Sequence, residues 1–161
     1  PESALKDKAD KELYKYWKQQ EYLTVTSGNV TDYDYITTDM LRYADVVNIQ
    51  SVGYDKYNAT QWAIDSTEQG LPLEEYPQTL GNFNMPTREL ERLILSGKAV
   101  IDNNEINRYC FRNVTLKSDY NGNVKPNKAV DKKKIDGTIA MIQALGMYLR
   151  TPHYTNEILT I

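Results

Sequence analysis

Histidine and cysteine are almost absent: the 161 residues contain one of each, His153 and Cys110. A lone cysteine excludes an internal disulfide, and a zinc site of the Cys/His kind is nearly excluded with it. Any metal must therefore sit on oxygen. Long apolar runs are also missing. No stretch approaches the roughly 18 residues that a membrane-spanning helix needs, and no basic start leads into a signal-peptide core. A soluble, intracellular-type domain with no membrane partner is expected. The chain lacks a basic excess too, with a formal net charge of -3. Proteins that coat nucleic acid usually carry surplus Lys and Arg to release phosphate counterions, so that class is disfavoured. DNA cleavage stays open, because carboxylates that gather cations lower the sum while Lys125, Lys128, Lys132, Lys133 and Lys134 still form a local basic strip. No P-loop, nucleophile elbow or dinucleotide fingerprint is present, which leaves ATP hydrolysis and acyl transfer unsupported.

What is present is a chain of one-domain size with helical and strand patterns in alternation. Leu5, Ala9, Leu13, Tyr16 and Trp17 recur at helical spacing and predict a polar helix over residues 4–19. Residues 22–26 are β-prone and stop at Ser27-Gly28-Asn29, and Asp32 is placed to cap a helix reaching Ala44. An apolar strand over 46–55 then ends on Asp55, and Asn58 opens a helix holding Trp62, Ala63 and Ile64. Gly70 closes that helix, Leu71 to Tyr76 reads as a second strand, and Pro86 opens a helix that stops at Gly97. Residues 109–118 alternate as a strand, and Asn121-Gly122 signals the tight turn of a hairpin returning through Val124. The last helix runs from Asp131 to Leu149, with Ile135, Ile139, Ile142, Leu145 and Leu149 on one side. Gly137, Ala140 and Ala144 offer it a close-packing seam, and Pro152 marks its end. The pattern predicts an α/β fold in three parts: a helical lead-in with a short strand over 1–30, a core over 31–152, and a tail over 153–161.

Two carboxylates stand out. Asp55 lies where an apolar strand gives way to a loop, the position at which open α/β sheets build their sites. A turn or helix cap explains it equally simply, and on local sequence that bland reading is the stronger. Asp136, in Lys134-Ile135-Asp136-Gly137, sits near a helix start between an apolar residue and a glycine. By itself it is explained by the helix macrodipole, worth a few tenths to about 1 kcal/mol. Taken together, the two carboxylates suit shared Mg²⁺ or Mn²⁺ ions, and phosphodiester hydrolysis commonly uses such ions to activate water and steady the leaving oxygen.

The ordered set Gly53-Tyr54-Asp55-Lys56-Tyr57-Asn58-Ala59, Gln78, Gly81, Pro86, Glu89-Leu90-Glu91, Asn113, Asp119-Asn121-Gly122-Asn123, Pro126, Lys128 and Lys134-Ile135-Asp136-Gly137 resembles the C-terminal nuclease domain of phage terminase large subunits. The order and spacing of these short pieces over about residues 20–150 make the likeness more specific than any one of them. The resemblance implies a ribonuclease H-like fold and a metal-dependent endonuclease, with Asp55 and Asp136 matching two of the acidic positions that hold two divalent ions. It implies double-stranded DNA as substrate, cut from concatemers during genome packaging, with portal and small terminase subunit as partners. The setting it implies is the bacterial host cytoplasm, as a phage or prophage protein.

A further acidic position of the family lies on the first strand of the sheet, and residues 1–45 contain no such strand; Asp7 and Asp10 fall in a polar helical pattern and substitute poorly. The expectation is therefore a fold lacking its opening strands and an uncovered edge strand that invites homo-oligomer formation. Lys128 is placed to meet a phosphate, Asn113 to orient a backbone, and Lys132, Lys133 and Lys134 to attract DNA, each with a surface role as the plain alternative. Two other functions fit the same residues. One is a non-catalytic docking module of the packaging motor, using the tyrosines and the last helix. The other is a different ribonuclease H-like nuclease, such as a resolvase or transposase.

Overall fold

The computed structural model describes residues 1–7 and 10–151. The tail expected over 153–161, with His153, lies outside these residues. The lead-in is two helices, α1 (Ala4–Asp7) and α2 (Lys11–Gln19), and Trp17 of α2 is buried. Residues 22–26 pair with no strand and form loop. Helix α3 (Tyr33–Ala44) begins as its sequence predicts, with the Asp32 carboxylate accepting the Tyr35 amide at 2.8 Å.

The strands are shorter than their apolar runs. β1 covers Val52–Tyr54 and pairs in parallel with β2 (Leu73–Glu75), Val52 opposite Leu73 and Tyr54 opposite Glu75. Residues 46–51 stay outside β1, and Val46 and Val47 are largely exposed, so the apolar run extends well beyond the ladder. Helix α4 (Thr60–Glu68) crosses between the two strands and starts after Asn58, not on it. Asn58 takes the left-handed conformation at φ 57°, which asparagine tolerates and a helix start does not use. A buried hydroxyl chain locks α3 to α4: Thr37 Oγ1 and Ser66 Oγ lie 2.8 Å apart, and the Trp62 indole donates to Thr37 at 2.9 Å.

Helix α5 (Leu80–Leu95) begins six residues before Pro86, capped by Thr79, whose hydroxyl accepts the Asn82 amide. Pro86 lies inside the helix because the carbonyl left without its usual donor, that of Asn82, accepts the Tyr76 hydroxyl at 2.7 Å. Residues 105–112, partly assigned to a strand by their alternation, are helix α6 (Glu105–Arg112), and only then does β3 (Val114–Ser118) begin. The hairpin forms as its Asn-Gly turn predicts: β3 pairs antiparallel with β4 (Val124–Lys128), from Val114↔Lys128 to Ser118↔Val124. Its turn is held by Asp119, whose carboxylate accepts the amides of Asn121 and Asn123 at 2.9 Å each.

Helix α7 (Asp136–Arg150) is the last element of the described residues and starts five residues later than its charge pattern suggests. The core gathers on it: Tyr76, Phe83, Ile142 and Met147 are buried together, with Leu90 and Ile139 packed on them. The close approach occurs at glycines, Gly137 of the expected seam among them, and not at its alanines. A methyl on Gly146 would fall 2.8 Å from Tyr76 Cε2, and one on Gly53 of β1 would fall 2.9 Å from Met147 Cγ. Ala140 and Ala144 are exposed.

Candidate functional site

Asp55 follows directly on β1, where the ladder ends with the Tyr76 amide donating to the Tyr54 carbonyl at 2.7 Å. Its side chain is exposed, and its carboxylate accepts the Tyr57 amide at 3.0 Å, an Asx-type turn that leads into left-handed Asn58. Beside it, Lys56 pairs with Glu75 of β2 at 3.0 Å. Glu75 holds the Lys56 ammonium charged above its ordinary range. The turn reading of Asp55 is thus correct in geometry, and its carboxylate faces solvent.

Asp136 is the first residue of α7, an exposed carboxylate at the positive end of that helix. It borders a hollow of about 330 Å³ whose other walls include Tyr14, Trp17, Tyr109, Cys110, Lys134 and Gly137. Gly137 lets α6 approach closely, since a methyl there would meet Asn107 Oδ1 and Cys110 Sγ at 3.4 Å. Tyr14 is held protonated above its usual range, first by burial and then by the charges of Asp10 and Asp136.

Asp10, discounted by its local pattern, ties the lead-in to this region. One carboxylate oxygen accepts Lys133 Nζ at 2.9 Å and the other accepts the Tyr109 hydroxyl at 2.7 Å. The Lys133 hydrogen bond, and then that of Tyr109, hold the Asp10 carboxyl below its ordinary value. Burial, followed by the bond to Asp10, pushes the Tyr109 hydroxyl well above its own. Trp17 meets the Tyr109 ring edge-on at 5.1 Å, and Lys133 lies over that ring at 5.6 Å.

The remaining candidates separate. Lys134 borders the same hollow as Asp136, whereas Asp55 does not. Asn113 caps α6: its amide donates to the Tyr109 carbonyl at 2.8 Å, and its own carbonyl accepts the Ala129 amide at 2.8 Å. Lys128 ends β4 opposite Val114, partly buried, and Lys132 is exposed ahead of α7. Among the described residues no three His, Cys, Asp or Glu side chains gather closely enough to form a metal-binding cluster, and neither Asp55 nor Asp136 makes an ion pair. Two exposed carboxylates without cationic partners have the oxygen donor chemistry that Mg²⁺ or Mn²⁺ requires.

The architecture, small sheets flanked by helices, is that of a terminase nuclease domain. It matches the crystal structure of the HK97 bacteriophage large terminase with a TM-score of 0.77 and 26% identity, covering 86% of this chain and 29% of that one. The family model for the terminase large subunit endonuclease domain matches residues 1–151, and the chain belongs to that family. The large terminase subunit of Enterobacteria phage HK97 is 27% identical over 150 residues, 91% of this chain and 30% of that protein. Protein YmfN of Escherichia coli (strain K12) is 33% identical over 143 residues, 87% of this chain and 31% of that protein. The chain thus spans under a third of the length of these relatives.

Proposed function

We propose that this chain is the cutting domain of a DNA-packaging enzyme: a metal-dependent endonuclease of ribonuclease H-like fold that hydrolyses phosphodiester bonds of concatemeric double-stranded viral DNA. The observation that carries the reading is the family match over residues 1–151, which takes in both Asp55, exposed beyond β1, and Asp136, exposed at the start of α7. Asp55 and Asp136 would hold Mg²⁺ or Mn²⁺. When bound, such ions supply activation of water and stabilisation of the leaving oxygen in phosphodiester hydrolysis. Lys134, beside Asp136, and Lys132 and Lys128 attract the phosphate backbone and set its approach. Portal and small terminase subunit are the protein partners of this reading, and the bacterial host cytoplasm its setting.

A Mn²⁺ titration of isotopically labelled chain, followed by paramagnetic broadening, tests the site apart from turnover. Broadening centred on residues around Asp55 and Asp136 that weakens in Asp136→Asn is the expected result. Broadening that is absent, or scattered over the acidic surface, overturns the metal assignment and favours a docking module.

A further inference from the structure

Three lysines, Lys132, Lys133 and Lys134, precede Asp136, separated from it by Ile135. A cation in that position is a natural competitor for a metal-binding carboxylate, because it lies at the positive end of α7, where its own charge is unfavourable and a nearby carboxylate is the obvious partner. Asp136 nevertheless makes no ion pair among the described residues. The middle lysine is instead drawn away. Lys133 reaches Asp10, 123 positions earlier in the chain, at 2.9 Å, and its ammonium nitrogen lies over the Tyr109 ring at 5.6 Å. Asp10 is itself fixed at its second oxygen by the Tyr109 hydroxyl at 2.7 Å. The ammonium is therefore held by an acceptor oriented from both sides. Lys132 is exposed and Lys134 borders the hollow with Asp136, so neither is held in this way.

We infer that Asp10 is a positioning residue which acts by holding Lys133 away from Asp136, keeping that carboxylate open to a divalent cation. The inference rests on the metal-binding reading of Asp136. It assigns Asp10 a role through charge, distinct from simply stapling α2 to the rest of the domain. With Asp10 neutral, Lys133 is free to swing along the 133–136 segment and compete with the metal at Asp136.

The test is a double-mutant cycle read by Mn²⁺ affinity, measured from paramagnetic broadening of the labelled chain. Asp10→Asn keeps the shape, removes the charge and leaves one acceptor oxygen where the parent uses two; Lys133→Met keeps an unbranched side chain of similar length and removes the competing ammonium. Asp10→Asn is expected to weaken Mn²⁺ binding at Asp136 roughly two- to fivefold, the range that an exposed ion pair supports. Lys133→Met alone should bind at least as well as the parent, and Asp10→Asn/Lys133→Met should regain parental affinity. A purely structural clasp gives the opposite pattern: Lys133→Met weakens binding as much as Asp10→Asn, and the double variant is not rescued. That outcome overturns the inference and leaves the metal reading intact. If the parent chain itself shows no Mn²⁺ site at Asp136, the metal reading fails and takes the inference with it. Amide chemical shifts around Trp17 in each variant report whether α2 stays docked.

Discussion

The tightest constraint at the residue scale is Gly146. A methyl there would fall 2.8 Å from Tyr76 Cε2 and closer still to the Tyr76 hydroxyl. Tyr76 cannot yield cheaply: it is fully buried, its ring meets Phe83 edge-on at 5.6 Å, and Arg150 lies over its face at 4.3 Å. Its hydroxyl also satisfies the Asn82 carbonyl that Pro86 leaves without a helical donor. Three sequence features, a glycine in α7, a proline in α5 and a tyrosine after β2, therefore solve one packing problem. Gly146→Ala gains up to about 1 kcal/mol of helix propensity. It loses about 1–3 kcal/mol to overpacking and about 1–3 kcal/mol to an orphaned carbonyl. A net destabilisation of about 1–5 kcal/mol is expected from urea unfolding, and a variant as stable as the parent would show that Tyr76 has room to move.

At the scale of elements, α6 is the informative case. Tyr109, Cys110, Phe111 and Asn113 are poor helix formers with β-like alternation, so local pattern points to a strand. The helix forms because Asn104 caps it, accepting the Ile106 amide at 2.8 Å, and because its inner face is used: Cys110 is buried beside Gly137, and Tyr109 meets Trp17. Those contacts come from α7 and α2, both far away in sequence, so no local window contains them. Elements whose signals are local were legible, among them α3 with its Asp32 cap and the hairpin with its Asn-Gly turn. Pro86 misled for a related reason: a proline is a helix start by default, and only the distant Tyr76 hydroxyl makes an interior position tolerable. Because α6 depends on its cap more than on propensity, Asn104→Ala should cost about 1 kcal/mol. Hydrogen exchange ought to concentrate the loosening in residues 105–112; a loss spread evenly over α5 and α7 would mean that tertiary packing alone holds the helix.

At the scale of the whole molecule the sequence supplied the order of the pieces and hence the family, while the partners of the pieces stayed hidden. Asp10 illustrates this: its own neighbourhood reads as a solvated helix, and its meaning lies in Lys133, at the other end of the chain. The same pairing changes how the chain should meet DNA. With a net charge of -3, affinity cannot come from the overall field and must come from a few local cations. Five lysines form the basic strip, but two are already committed, Lys125 to the Gln78 carbonyl and the Phe83 face, and Lys133 to Asp10. Lys128, Lys132 and Lys134 make no ion pair among the described residues and remain for phosphate. Counterion release at about 0.9 per phosphate contact then gives a slope of log K against log salt of about −2.7 for B-DNA. Each of Lys128→Gln, Lys132→Gln and Lys134→Gln should shallow that slope by about 0.9, whereas Lys125→Gln should leave it nearly unchanged. Anisotropy titrations on a fluorescent duplex at several salt concentrations measure it directly. A slope near −4.5 would show that all five lysines reach phosphate, and that the contacts of Lys125 and Lys133 give way when DNA arrives.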